Sequence, residues 1–165
     1  MQISTSDVIA TLSLLVSIGA VIFAKSSSQK TNQIAQENLN LQHGIVELEI
    51  SQSIENAKTK INDISMTMAP FVSKEKLNKI SEEESELLGL YRKSLNAATQ
   101  TLINYYDSAC SKYADGKVDK VRFKKTYKVE IRQLVESDDL KEYFDPLTSS
   151  YKPVLNVYSE WEHLE

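Results

Sequence analysis

The chain has 165 residues, with 19 Lys and Arg against 23 Asp and Glu, which gives a formal net charge of −4. This length suits about one domain, and the acidic balance provides no overall positive field that would attract nucleic acid. The low content of four Gly and three Pro favours long helices over a sheet with many tight turns. The single Cys excludes an intramolecular disulfide.

The N-terminal region contains an uncharged run, VIATLSLLVSIGAVIFA, from Val8 to Ala24. A membrane-spanning helix needs ~20 apolar residues, within a range of about 17–25. The run therefore predicts an N-terminal transmembrane anchor over residues 1–25. The side chains expected within the span include Val8, Leu12, Leu15, Ile18, Val21 and Phe23.

A cleaved signal peptide and a buried core helix are the two alternatives to an anchor. A signal peptide would begin with a positive region, which this chain lacks, and a chain of this size is too small to surround an all-apolar helix. Lys25 and Lys30 follow the run, and no Lys or Arg precedes it. The positive-inside rule then predicts an inner-membrane protein with its N-terminus outside and its C-terminal domain in the cytoplasm.

Beyond the anchor, residues 26–49 are predicted to form a polar juxtamembrane or stalk segment, and residues 50–165 a helical bundle. Apolar residues recur at alternating steps of four and three, a spacing typical of a helix-packing seam. The seam consists of Ile50, Ile54, Ala57, Ile61, Ile64 and Met68, with Leu41, Ile45 and Leu48 as an imperfect upstream extension. This pattern predicts a helix from about Asn32 to Met68, ended by Pro70.

Ser81 and Glu84 form a capping-box pattern that opens a second helix, and Gly116 after Asp115 suits its C-terminal end. The expected inward stripe is Leu88, Tyr91, Leu95, Ala98, Leu102, Tyr105, Ala109 and Tyr113. Because this stripe matches the seam of the preceding helix and the connection is short, the two helices are predicted to pair as an antiparallel hairpin.

Asp119 is a suitable N-cap for a third helix that runs to about Ser137. Its expected inward residues are Phe123, Tyr127, Ile131 and Leu134. A short turn over residues 139–144 and a last helix starting near Pro153 follow, the latter with Val154, Leu155, Tyr158 and Trp161 inward. The predicted fold is all-α: an N-terminal transmembrane helix leading into a long stalk helix and a small antiparallel helical bundle.

The residues that carry catalytic chemistry are few. Glu160 and His163 match half of a di-iron motif, but the second Glu-x-x-His pair is missing, and one Cys with two His cannot complete a zinc site. His43 lies in a polar segment, and Cys110 is expected to be a small buried thiol. The sequence therefore predicts no catalytic, cofactor-binding or metal-binding residues, no cofactor and no enzymatic activity.

Lys117, Lys120, Lys124 and Lys128 follow 3-4-4 spacing and are predicted to share one helix face. One interpretation is a contact face for anionic lipid headgroups or a nucleic-acid backbone. The favoured interpretation is an ordinary solvated face, balanced by acidic residues at 82–86 and 138–145.

The opening SDVIATLSLLVSIGAVIFAK resembles the N-terminal anchors of many uncharacterised bacterial membrane proteins. The stretch YADGKVDKVRFKKTYKVEIRQLVES and the terminal YKPVLNVYSEW are similar to the C-terminal helical domain of some of them. The resemblance implies a bacterial or phage-related inner-membrane protein with no activity to carry over. By analogy, such proteins sometimes belong to phage-defence or stress systems.

The leading functional hypothesis is a membrane-anchored, non-enzymatic helical interaction or regulatory module. Its expected partners are the lipid bilayer and another protein, with a homo-oligomer formed through the seam from Ile50 to Met68 as one form of the hypothesis. The alternative is a membrane-active effector whose anchors oligomerise and disturb the bilayer. Nucleic acid is the least favoured partner because the net charge is negative.

Overall fold

The computed structural model describes the backbone of residues 5–162 and the side chains of residues 20, 21 and 23–162. Within that range all regular structure is helical. The elements are α1 (Thr5–Lys76), α2 (Glu82–Ala114), α3 (Lys120–Glu136), a 3₁₀ helix (Asp138–Tyr143) and α4 (Lys152–Glu162). This confirms the all-α prediction. The chain divides into two compact units, Met1–Gln42 and His43–Glu165.

In the first unit, each described side chain of α1 is exposed. The side chains form hydrogen bonds along their own helix, one turn apart. The Thr31 hydroxyl donates to the Ser27 carbonyl at 2.9 Å, and the Gln33 amide donates to Glu37 at 3.0 Å. These contacts are local i, i+4 interactions of the kind that support a solvated helix.

The structure overturns the predicted membrane span. Among the residues whose side chains are described, no helix has the length and apolarity needed to cross a membrane. The uncharged run from Val8 to Ala24 is at the lower limit of length for a membrane-spanning helix. From Lys25 to Gln42 the side chains of α1 are mostly polar, and all of them are exposed. Val21 and Phe23 are exposed on α1, and the predicted span side chains Val8, Leu12, Leu15 and Ile18 lie outside the described residues. The single-pass inner-membrane localisation is therefore not supported.

In the second unit, α1 and α2 run antiparallel. Residues near the end of α1 pair with residues near the start of α2, and a residue earlier in α1 pairs with one near the end of α2. The ion pairs that show this are Lys74 with Glu84, Glu75 with Arg92, and Glu49 with Lys112. The hairpin predicted from the matched apolar stripes is therefore present.

The caps of α2 and α3 form as the sequence predicts. The Ser81 hydroxyl accepts from the Glu84 N–H at 3.2 Å, and Glu84 accepts from the Ser81 N–H at 3.1 Å. Gly116 follows α2 with φ +68°, a conformation that favours glycine. At the start of α3, Asp119 accepts from the Arg122 N–H at 2.9 Å, and this bond lowers the pKa of the Asp119 carboxyl.

The predicted end of α1 before Pro70 is wrong, because the helix continues to Lys76 with Pro70 inside it. Proline removes one backbone donor and crowds the preceding turn. Contacts to α2 stabilise the final turns nevertheless. The Phe71 and Tyr91 rings stack with centroids 5.9 Å apart, and Arg92 donates two hydrogen bonds to Glu75 at 3.1 and 2.6 Å.

The core confirms most of the predicted inward residues and corrects two sets. Phe123, Tyr127, Ile131 and Leu134 are all buried, as are Ile50, Ile54, Ala57, Val154 and Trp161. Tyr105 is exposed and Tyr106 is buried instead, because a strict 3-4 stripe drifts around a long helix with 3.6 residues per turn. The upstream extension of the seam is also wrong, since Leu41, Ile45 and Leu48 are exposed and Val46 packs against the core.

Two isoleucines on α1 test which face of this helix is packed. Ile54 is 1% exposed and Ile45 is 60% exposed. Ile54→Ala should lower the free energy of unfolding by about 2–4 kcal/mol, since it leaves a cavity in the core. Ile45→Ala should change it by less than about 0.5 kcal/mol. Urea unfolding followed by the fluorescence of Trp161, the single tryptophan, measures both, and equal effects would contradict this packing.

Candidate functional site

The third helix, α3, is attached on one side to α1. Glu47 of α1 accepts from the Asp119 backbone N–H at 2.8 Å and from the Arg122 guanidinium at 3.0 and 3.2 Å. The carboxylate of Glu47 raises the pKa of Arg122. One α1 carboxylate therefore holds the start of α3 through both its backbone and a side chain.

Farther along α3, Glu130 connects three helices. Its carboxylate accepts from the Tyr106 hydroxyl of α2 at 2.5 Å and from the Lys58 ammonium of α1 at 2.9 Å. Burial, together with the hydrogen bond to Glu130, raises the pKa of Tyr106. Burial opposes the charge of Lys58, but hydrogen bonds to Glu130 and Glu55 outweigh it, so the pKa of Lys58 is also raised.

The other side of α3 is attached to α4. Arg132 donates to Glu162 at 3.0 and 2.6 Å, and the Tyr158 hydroxyl donates to Glu136 at 2.8 Å. Trp161 of α4 packs in the core and donates from its indole N–H to the Tyr113 hydroxyl at 3.2 Å. The Tyr113 hydroxyl in turn donates to Glu160 at 2.8 Å. This chain of bonds fixes Glu160 and the Tyr113 ring beside α3.

With both sides attached, α3 presents an outward surface that borders an open depression of about 610 Å³. Tyr113 and Glu160 line the same depression. The surface contributed by α3, here called the lysine surface, consists of Lys120, Val121, Lys124, Lys125, Lys128 and Val129. Val121 and Val129 are 80% and 64% exposed. Four lysines, two exposed valines and one carboxylate therefore line the same depression.

Three of the four lysines predicted as a basic face, Lys120, Lys124 and Lys128, lie on the lysine surface. Lys117 does not, because it precedes α3 and forms an ion pair with Asp115 at 3.4 Å. The Lys120 ammonium lies 5.0 Å from the centroid of the Tyr113 ring, a cation–π contact. Lys124 and Lys125 have no ion-pair partner among the described residues.

The spacing argument missed Lys125, Val121 and Val129. It followed one line of i, i+4 positions, whereas the depression is wider than one line because Glu160 and Tyr113 form its far side. The sequence pattern that could have predicted these residues is the recurrence of adjacent pairs every four positions, at 120–121, 124–125 and 128–129. Each pair contributes two side chains to the same surface.

A second depression, of about 470 Å³, lies between α1, α2 and the 3₁₀ helix. Its lining is mainly neutral, with Asp139 and Glu142 as its only charged residues. Ile61 and Leu95, two residues of the predicted stripes, line it and are half-buried. Two carboxylates among eight neutral residues give less indication of a ligand than the lysine surface does.

Of the residues considered for catalysis, Glu160 lines the depression beside the lysine surface, whereas Cys110 and His43 do not. Cys110 is buried, as predicted, and burial raises the pKa of its thiol to about 12. His43 Nε2 hydrogen-bonds to the Gly116 carbonyl at 3.2 Å. His163 lies outside the described residues. Across the described part of the chain, no group of three His, Cys, Asp or Glu side chains is placed to hold a metal ion.

Comparison with known proteins adds no relative. No protein-family model matches the chain, and no curated protein or solved structure shows significant similarity to it. The resemblance of the two ends of the sequence to bacterial anchored proteins therefore stays a prediction.

A tyrosine pair tests whether the Glu130 connection positions α3. Tyr106→Phe removes the hydroxyl that donates to Glu130 and should lower the free energy of unfolding by about 1 kcal/mol. The loss is no larger because the Glu130 carboxylate is partly exposed and can accept a hydrogen bond from water instead. Tyr105→Phe is the control, since Tyr105 is exposed and has no hydrogen-bond partner among the described residues. Urea unfolding of the two variants should differ, and a neutral Tyr106→Phe would contradict the connection.

The burial of Cys110 predicts the reactivity of its thiol. A thiol with a pKa of about 12 and no solvent access exposes almost no thiolate at pH 8. A chromogenic disulfide reagent should therefore react with the folded chain far more slowly than with the chain in guanidinium. Rapid reaction of the folded protein would show that this part of α2 opens or is packed differently.

Proposed function

We propose that the chain is a non-enzymatic helical interaction module whose lysine surface binds an acidic, amphipathic segment of a partner protein. The observation that carries this proposal is the combination of four lysines and two exposed valines around one open depression. A regulatory role is compatible with such a module, because binding to a folded surface can be coupled to the state of the partner.

The mixed chemistry of the surface favours a peptide with two kinds of side chain. Carboxylates of the partner can pair with Lys124 and Lys125, which lack ion-pair partners among the described residues. Covering Val121 and Val129 removes apolar area from water, which contributes roughly 25 cal/mol per Å². An amphipathic helix that carries acids beside leucines offers both contacts at i, i+3 and i, i+4 spacing.

A protein segment is favoured over nucleic acid for two reasons. The net charge of the whole chain is −4, so a long polyanion would be repelled by the acidic remainder of the molecule. Exposed valines also contribute nothing to contacts with phosphates. A nucleic-acid surface would be expected to carry arginine or aromatic side chains for stacking between its lysines.

The surroundings of the candidate catalytic groups support the non-enzymatic part of the proposal. The Cys110 thiol is protonated and enclosed, and the His43 ring is hydrogen-bonded to a backbone carbonyl. Neither Cys110 nor His43 lines either of the two depressions described above. The earlier alternative, a membrane-active effector, depended on the membrane span and is not carried forward.

The proposal is tested by fluorescence anisotropy with a labelled helical peptide in which Leu recurs at i, i+3, i+4 and i+7 and Glu occupies positions beside this stripe. At low salt the full-length chain should bind it, and Lys124→Gln with Lys125→Gln should weaken binding by about fivefold. That figure corresponds to two exposed ion pairs of about 0.5 kcal/mol each. The matched control is Lys60→Gln with Lys141→Gln, which removes two exposed lysines elsewhere and should leave binding unchanged.

Two further probes separate the proposal from simple charge attraction. A peptide of the same composition in shuffled, non-amphipathic order should bind more weakly, because it cannot cover Val121 and Val129 while its acids reach the lysines. A single-stranded oligonucleotide should also bind more weakly than the amphipathic peptide. Equal binding of the two peptides, or tighter binding of the oligonucleotide, would show that the proposed partner class is wrong.

A further inference from the structure

Among the described residues that line the depression beside the lysine surface, Glu160 carries the single carboxylate. It belongs to α4, whereas the four lysines belong to α3. A surface that binds acids is expected to exclude acidic side chains of its own, because like charges at a contact lower the affinity. The presence of Glu160 in this depression therefore calls for a physical reason.

The pairing of Glu160 differs from that of the acids that hold α3 in place. Those acids are each paired with a base: Glu47 with Arg122, Glu130 with Lys58, and Glu162 with Arg132. Glu160 forms no ion pair among the described residues. Its described hydrogen-bond partner is the neutral hydroxyl of Tyr113, at 2.8 Å. Glu160 therefore does not serve to attach α3 to the bundle, and its charge is available to a ligand.

A chain of hydrogen bonds that begins in the core holds Glu160 in position. The indole N–H of Trp161 donates to the Tyr113 hydroxyl at 3.2 Å, and this hydroxyl donates to Glu160. Trp161 and Tyr113 are both buried. Burial raises the pKa of Tyr113, so its hydroxyl remains a donor at neutral pH. The Tyr113 ring also contacts the Lys120 ammonium, so one buried residue positions a negative and a positive group.

A fixed carboxylate in a depression lined by lysines distinguishes between ligands of similar charge. A segment that carries only acids places one of them near Glu160, where the two carboxylates repel each other. A segment with one Lys or Arg at that place pairs with Glu160 while its acids pair with Lys124 and Lys125. Repulsion of the wrong ligand contributes to specificity together with attraction of the right one.

We infer that Glu160 is a specificity-determining residue of the lysine surface, which selects an acidic amphipathic segment with one basic side chain opposite Glu160. This inference rests on the proposed function, because it names the charge order within the same class of partner. Tyr113 is a positioning residue, since it acts on the partner through Glu160. Glu160 is exposed and exposed ion pairs contribute little, so the expected discrimination is about threefold.

A lysine scan of the probe peptide tests the inference. The peptides share the leucine stripe of the anisotropy probe, and in each of them Lys replaces a different one of the Glu residues. With the parent chain, most replacements should weaken binding, because an acid that pairs with the lysine surface is lost. Replacement at the position that faces Glu160 should instead strengthen binding about threefold over the all-acidic peptide, because repulsion becomes attraction.

Glu160→Gln is the decisive variant. Glutamine retains a side-chain oxygen that accepts from the Tyr113 hydroxyl and removes the charge, so the fold should be kept, which thermal unfolding checks. The variant should bind the all-acidic peptide about threefold more tightly, and no lysine position should strengthen binding. Glu83→Gln is the matched control. Glu83 is exposed, forms no ion pair among the described residues and does not line the depression, so the scan should match that of the parent.

Two results would overturn the inference and leave the proposed function intact. The first is a scan in which each replacement has the same effect on the parent and on Glu160→Gln. The second is a Glu160→Gln variant that binds the all-acidic peptide no more tightly than Glu83→Gln does. If no peptide of the set binds the parent chain, or if Lys124→Gln with Lys125→Gln changes no affinity, the proposed function is wrong and the inference fails with it.

Discussion

The carboxylate of Glu130 is the contact on which the arrangement of the second unit depends most directly. It accepts from Tyr106 of α2 and from Lys58 of α1, although Lys58 and Glu130 are 72 residues apart in sequence. A charged acceptor shared by two helices is sensitive to distance and direction, so it fixes both the register of α3 and its rotation. The core aromatic residues Phe123 and Tyr127 then face inward, and the lysine surface must face outward.

The distribution of ion pairs follows from this rotation. Arg122 and Arg132 lie at the two edges of α3, where Glu47 of α1 and Glu162 of α4 accept from them. The positions between these edges face solvent, and Lys124 and Lys125 there have no ion-pair partner among the described residues. A chain with more acids than bases can therefore still present a local positive surface, because the acids near α3 are used to hold the helix in place.

Local signals in the sequence predicted local structure well. The capping residues Ser81, Glu84 and Asp119 act on backbone groups within three positions, so their role does not depend on the rest of the fold. The end of α1 and the exposure of Tyr105 could not be derived in this way. The first depends on stacking of Phe71 on Tyr91, and the second on a gradual rotation of the buried face that a fixed 3-4 repeat ignores. Only half of the residues of the lysine surface were predicted, for the same reason. Lys120, Lys124 and Lys128 follow the repeat, whereas the depression also includes Glu160 of α4, which is far from α3 in sequence.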